Sequence, residues 1–208
     1  MKNKGFTLTE LITVITILGL IAIVAIPNVI SVIKNSKDTI YKKQINTILE
    51  GAMMWASDNA KYLPDEGEMI KLTLDQLKMD SYVDLDIKNP SINEPNYFDN
   101  NMEISITKKN GVIEYDVLET TIKYVDEINT DYTKIILNGD VLTYVNIGEE
   151  YEEKKAYIYG TDKSNLIEPN LTDIDTSTEG TYYLYYDYTN SDNVKSTIIR
   201  TVIVKWKH

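Results

Sequence analysis

From Phe6 to Ile26 the chain is apolar almost without interruption, and beyond Pro27 the pattern changes to one with a helical period. The first stretch has 21 residues, about 31 Å as a helix at ~1.5 Å per residue, which matches the ~30 Å hydrocarbon core of a bilayer. It reads as a membrane-spanning helix. Thr7, Thr9, Thr13 and Thr16 fit there because their hydroxyls can bond back to helix carbonyls. Glu10 does not: a carboxylate at that depth costs on the order of a few kcal/mol and calls for a partner. Further on, Tyr41, Ile45, Ile48, Ala52 and Trp55 recur at spacings of four, three, four and three, with Lys42, Lys43, Gln44, Asn46 and Glu50 between them. This stripe predicts a helix that packs on a sheet and ends near Asn59 or Lys61, ahead of Pro64 and Gly67.

The pattern then shortens. "LTLDQLKMDSYVDLDIKNPSI" predicts a short helix, an extended run and a turn at Pro90. In "MEISITKKNG", Met102, Ile104 and Ile106 alternate with Glu103, Ser105 and Thr107, the period-two signature of a half-buried strand. Asn110-Gly111 supplies the positive φ of a tight hairpin turn into "VIEYDVLE". Past Glu119 short strand signals recur between turns: "YTKIIL", Asn138-Gly139, "VLTYV", Gly148, "AYIY", Gly160, "GTYYLYYDY" and "STIIRTVIVKW". Such spacing predicts an all-β sandwich. In its long strand Tyr182, Leu184, Tyr186 and Tyr188 share one face, and Tyr183, Tyr185 and Asp187 the other.

Composition narrows the chemistry. The formal net charge is −11, which disfavours binding to phosphate backbones or anionic lipid, and no Lys/Arg cluster offsets it. There is no cysteine, and the sole histidine is His208, so disulfides, His/Cys zinc sites and imidazole triads are excluded. No glycine-rich phosphate loop occurs. The acidic groups at 65–68 and 84–86 lack the spacing of a calcium loop and read better as solvated loops. The expectation is a protein that is not an enzyme and that holds no cofactor or metal. Of 16 tyrosines, most follow Glu119. Since both faces of "YYLYYDY" cannot belong to one core, Tyr183 and Tyr185 become a candidate exposed ligand surface.

"KGFTLTE" followed by an apolar helix resembles the leader and N-terminus of type IV prepilins and type II secretion pseudopilins. The resemblance implies cleavage between Gly5 and Phe6 on the cytoplasmic side and N-methylation of Phe6 by a prepilin peptidase. It implies that Glu10, fifth in the mature chain, neutralises a neighbouring subunit's N-terminal amine during assembly. Pro27 falls where many pilins carry proline. A plain signal anchor oriented by Lys2 and Lys4, or a signal peptide cut after Ala25, would leave Glu10 unexplained. The C-terminal part resembles bacterial Ig-like surface domains through Leu137-Asn138-Gly139, Gly148 to Tyr151, Gly180-Thr181-Tyr182 to Tyr186, and Arg200 to Val204. It departs from that pattern in "KAYIYGTDKSN".

The expected fold is therefore α+β: a long N-terminal helix, membrane half plus amphipathic half, packed on a small antiparallel sheet and followed by an Ig-like sandwich. The expected divisions are a leader at 1–5, a transmembrane or filament-core helix at 6–27, a pilin-like domain at 28–120, a linker at 121–133 and the sandwich at 134–208. The expected function is a type IV pilus subunit. The bulk of the extra domain favours a minor pilin carrying an accessory adhesion domain. The implied partners are other pilin subunits, a prepilin peptidase, a platform protein and assembly ATPase, and a host-surface or matrix ligand; nucleic acid is not expected. The implied localisation is the cytoplasmic membrane before assembly and the surface pilus afterwards, in a Gram-positive producer given the missing cysteines. The alternatives are a pseudopilin of a secretion or DNA-uptake machine, and a monomeric membrane-anchored Ig-like receptor.

Overall fold

A computed structural model describes residues 7–90, 97–125 and 133–206, with the side chains of residues 22–29 and of Tyr124 outside that description. One helix, α1 (Leu8–Asp58), runs unbroken through Pro27 and is capped at its end by Asn59. The membrane-like and amphipathic patterns thus lie on a single rod. In its first half the described apolar side chains are exposed: Leu11, Ile15, Leu18 and Ile21 are all more than half exposed. Its second half buries the predicted stripe. Ile48 and Ala52 are fully buried and Trp55 nearly so, with Tyr41 and Ile45 at the margin. At Gly51 the loop after α2 comes so near that a Cβ would lie 2.5 Å from Val83 Cγ2 and 2.7 Å from Tyr82 O.

That half packs on a sheet of order β1–β3–β4, formed by β1 (Met69–Thr73), β3 (Glu103–Lys109) and β4 (Val112–Val117), all antiparallel. The β3–β4 turn is Asn110-Gly111 with φ of 53° and 76°, the left-handed values that asparagine and glycine tolerate. Helix α2 (Leu74–Met79) follows β1 directly and starts with a capping box between Thr73 and Gln76. The expected extended run after α2 is instead a series of turns with one isolated bridge, Lys88 to Tyr97. Two short strands, β2 (Tyr97–Phe98) and β5 (Tyr124–Val125), pair with each other. Residues 124–125, expected within a linker, therefore pair back to the first domain.

The C-terminal domain has two small sheets. One is β10 (Gly180–Thr189), β11 (Lys195–Lys205) and β7 (Leu142–Asn146), in the order β10–β11–β7 with β7 and β11 parallel. The other is β6 (Ile135–Leu137), β8 (Ala156–Ile158) and β9 (Leu166–Ile167). Between them lie Ile135, Val145, Ala156, Leu184, Tyr186, Ile198, Val202 and Val204. The fold is the expected one, a long helix with a small antiparallel sheet followed by an Ig-like all-β region.

The two domains do not hang apart. Leu142 and Ile203 belong to the first domain's core, and Met79 packs on the second. The face of β1 and β3 turned away from α1 meets the β10–β11–β7 sheet, so Ser105 and Thr107, expected on an open face, are buried. For the same reason β11 is buried on both faces from Ser196 to Val204.

Candidate functional site

Two places carry the residues singled out from the sequence: the start of α1 and the seam between the domains. At the helix start, Thr7 is the N-cap. Its backbone N–H and hydroxyl donate to Glu10 Oε2 at 2.9 and 2.8 Å, and the Glu10 N–H donates back to Thr7 Oγ1 at 3.3 Å. The carboxylate therefore accepts from the backbone amide and the hydroxyl of its own helix cap. One turn on, the hydroxyls of Thr13 and Thr16 donate to the carbonyls of Thr9 and Ile12, each at 2.8 Å, as an apolar helix requires of its threonines. Gly5 and Phe6, the expected processing pair, lie outside the described residues, as does the side chain of Pro27. Among the described residues no helix is long and apolar enough to cross a membrane. The expected span, Phe6–Ile26, runs past the described side chains at both ends.

Tyr183 and Tyr185 are not the free surface expected of them. Both are half-buried in the seam. The Tyr183 hydroxyl donates to Met69 O at 3.4 Å and its ring lies 4.4 Å beneath Lys71 Nζ. The Tyr185 hydroxyl donates to Glu103 Oε1 at 2.9 Å, and Glu103 also pairs with Lys71 at 2.9 Å. Burial, with the neighbouring Glu103 charge, pushes both phenols up. The second face of the tyrosine strand is thus consumed by the first domain, which is how one strand can carry rings on both faces.

The acidic segment at 65–68 is tied up as well. Lys205 Nζ reaches Asp65 Oδ2 at 2.7 Å and Glu68 Oε1 at 2.9 Å, and sits 4.0 Å over the Tyr144 ring. The Tyr144 hydroxyl donates to Glu68 Oε2 at 2.8 Å. Glu66 accepts the backbone N–H groups of Asn110 and Gly111, clamping the hairpin. The Lys205 contact holds the Asp65 carboxyl below its usual range. The loop is solvated at Asp65, Glu66 and Gly67, as expected, and it also latches the two domains together. Asp84 and Asp86 do stand exposed. Among the described residues no group of three or more carboxylates, histidines or cysteines is placed to hold a metal.

Two clusters escaped the sequence reading. In the sandwich, Arg200 is 1% exposed and ion-paired to Glu153, which also accepts the hydroxyls of Tyr151 and Tyr186. The guanidinium further donates to Asp140 O at 3.0 Å and Asn138 O at 2.8 Å, so its donors are used. Burial pushes the Glu153 carboxyl up, but the two phenols and the arginine outweigh it and hold it below its usual range. A lone arginine inside "STIIRTVIVKW" was the available signal, since a charge in a buried strand needs a partner from elsewhere.

The other cluster completes a sheet edge. β10 pairs β11 along its length, whereas β7 covers its other side only from Thr201 onward. Upstream of that, side chains at the start of α2 take the place of a strand. The Thr197 N–H donates to Asp75 Oδ2 at 2.8 Å and Thr197 O accepts Thr73 Oγ1 at 2.6 Å. The Ile199 N–H donates to Gln76 Oε1 at 3.2 Å and Ile199 O accepts Gln76 Nε2 at 3.4 Å. No local signal announces this, because the partners are more than 120 residues apart.

Two known families match parts of the chain. The prokaryotic N-terminal methylation motif, a type IV pilin leader, matches residues 1–26, and the bacterial surface protein Ig-like domain matches residues 135–204. Together they support a type IV pilin-like surface protein. No curated protein matches the chain. Among solved structures, the crystal structure of the lipoprotein BT2262 from Bacteroides thetaiotaomicron matches 37% of this chain at 26% identity, with a TM-score of 0.30. The matched part spans 40% of that lipoprotein's chain.

Proposed function

We propose that this chain is a minor subunit of a type IV pilus, held in the cytoplasmic membrane by the start of α1 before assembly and built into the fibre core through the same surface afterwards. The observation that carries this reading is the contrast along α1. Leu8, Leu11, Ile12, Ile15, Leu18 and Ile21 are exposed on every side, while the same helix is packed from Tyr41 onward. An apolar rod of that kind is not stable in water and needs lipid or sister helices around it.

Processing is proposed to cut between Gly5 and Phe6 and to methylate the new amine, using a prepilin peptidase, with a platform protein and ATPase driving assembly. Glu10 then exchanges its contacts with Thr7 for the N-terminal amine of a neighbouring subunit, which supplies the countercharge that an apolar environment demands. The Ig-like domain is proposed as the outward-facing adhesion module, and its size favours an occasional or tip position over one in every repeat. The cysteine-free chain agrees with a Gram-positive producer. Because the seam is bonded at many points, this module projects at a set angle from the helix and does not swing on a tether.

Intact mass and N-terminal fragmentation of the protein in sheared surface fibres tests the reading. A chain that begins at N-methylated Phe6 in fibres is the expected result. A chain that still begins at Met1 and stays in membranes overturns it in favour of an anchored surface receptor. A processed chain confined to the envelope places it instead in a secretion or DNA-uptake machine.

A further inference from the structure

Asp75 stands out among the groups at the seam. It is completely buried, one carboxylate oxygen accepts the Thr197 N–H, and the other, Oδ1, has no hydrogen-bond partner. Gln76 beside it satisfies Ile199 through a neutral amide, so the sheet edge itself does not demand a charge. We propose that Asp75 is a proton-controlled clasp between the two domains: protonated, it holds the upstream edge of β11 against α2, and ionised, it loosens that docking.

The physical reason is the orphaned oxygen. Ionised Asp75 must keep a full charge out of water with one oxygen lacking a donor, a state that burial penalises heavily. Protonation removes the charge while Oδ2 still accepts the Thr197 N–H. Opening the seam also relieves the penalty, because water then solvates the carboxylate. Proton binding and domain docking are therefore linked.

Burial pushes the Asp75 carboxyl up to about 7, against the pull of the Thr197 N–H and the Lys78 charge and with some help from Asp99. In water its ordinary value is 3.8. The docked form holds the proton more tightly, so docking is strongest below about 4, weakens about tenfold per pH unit up to about 7, and is flat above that.

The charged groups around Asp75 have partners of their own within this pH window. Lys78, brought down to about 8 by burial, is cationic throughout it and donates to Asn100 Oδ1 at 2.8 Å. Asp99 is turned to Asn101, whose N–H and side-chain amide both reach its Oδ1 at 2.9 Å. From β10, Asp187 accepts the Thr197 hydroxyl at 2.7 Å and pairs with Lys195 at 2.8 Å. At the far end of the seam the Asp65–Lys205 contact acts with the opposite sign, but an aspartate held low loses its contribution only below about 4.

Amide hydrogen exchange on the full chain in detergent micelles reads the clasp directly. With rates divided by the intrinsic amide rate at each pH, protection at Thr197 and Ile199 is expected to fall about fiftyfold from pH 5 to pH 7, close to tenfold per unit at first and flattening toward pH 7. Protection at Ile104 and Ile106 in the first domain is expected to hold. Asp75→Asn keeps an acceptor for Thr197 and is expected to abolish the slope. Flat wild-type protection, or an unchanged slope in D75N, overturns the proposal. Should D75N fail to fold, wild-type protein labelled at its aspartate carboxyl carbons still decides. One carboxyl must titrate far above the others and in step with the loss of protection. Titration of every aspartate below about pH 5 overturns the proposal.

Discussion

The apolar surface of this protein falls into two kinds, and one helix carries both. Among the described residues between Leu8 and Ile40, leucines, isoleucines and valines stand exposed. From Tyr41 onward one face of the same helix is enclosed, with Ile48 and Ala52 at 0% exposure, and only Met53 and Met54 among its large described apolar residues stand exposed. Side-chain chemistry does not separate them, since Ile17 and Ile48 are the same residue type. What separates them is whether this chain supplies the other wall. The described first half of α1 is an apolar surface that this chain leaves uncovered, while the second half, the sheet and the sandwich are one interlocked body. The seam latches of Lys205, the tyrosine ring contacts and the edge completed by α2 belong wholly to that second kind.

The largest expected effect tests the unpartnered half. Glu10→Ala should abolish incorporation into fibres while leaving the thermal stability of the body unchanged, as read by subunit content of sheared fibres and by melting in detergent. Glu10→Gln retains an acceptor for the Thr7 cap but not the charge. If it too fails to assemble, the charge is what assembly uses; if it assembles normally, the cap is.

Next comes the interlocked body. Glu153→Ala strands the Arg200 charge inside the sandwich, and breaking such a buried pair costs ~3–5 kcal/mol. Denaturant unfolding should show it. A smaller and more direct contrast lies along the helix itself. Ile48→Ala should destabilise by ~2–5 kcal/mol, whereas Leu18→Ala should stay within ~0.5 kcal/mol in micelles. Equal losses at both positions would mean that the first half folds back on the body. The smallest effect is at the seam, where Tyr185→Phe removes one hydrogen bond to Glu103, ~0.5–1.5 kcal/mol, with the ring left in place. A folded Y185F that loses a surface-binding activity would return that ring to the ligand surface first expected of it.

Much of the fold was legible in the chain. The helical stripe from Tyr41 to Trp55, its end near Asn59, the Asn110-Gly111 hairpin and the sandwich strands other than the two-residue β9 follow from periodicity and turn chemistry, which are local. The N-terminal motif was legible for a different reason: Glu10 has no place in a merely greasy helix, and that misfit drew attention to it. The burial of Ser105 and Thr107 was not legible, because an alternating strand announces one core and cannot say that a second domain covers its polar face. The ion pairs of the exposed acidic run at 65–68 were not legible for a related reason, since Lys205, which neutralises part of it, lies more than 130 residues further along.

By itself, then, the sequence determined most of the elements, their order, the leader-like N-terminus and a composition with no cysteine and one histidine. Each of those rests on residue identity or on spacing within a few turns. Only the tertiary structure decided that the two domains share a seam, that Tyr183 and Tyr185 face it, and that Asp75, Thr73 and Gln76 finish the edge of β11. The reason is that burial and ion pairing belong to pairs of surfaces, and the second surface of each pair lies far along the chain.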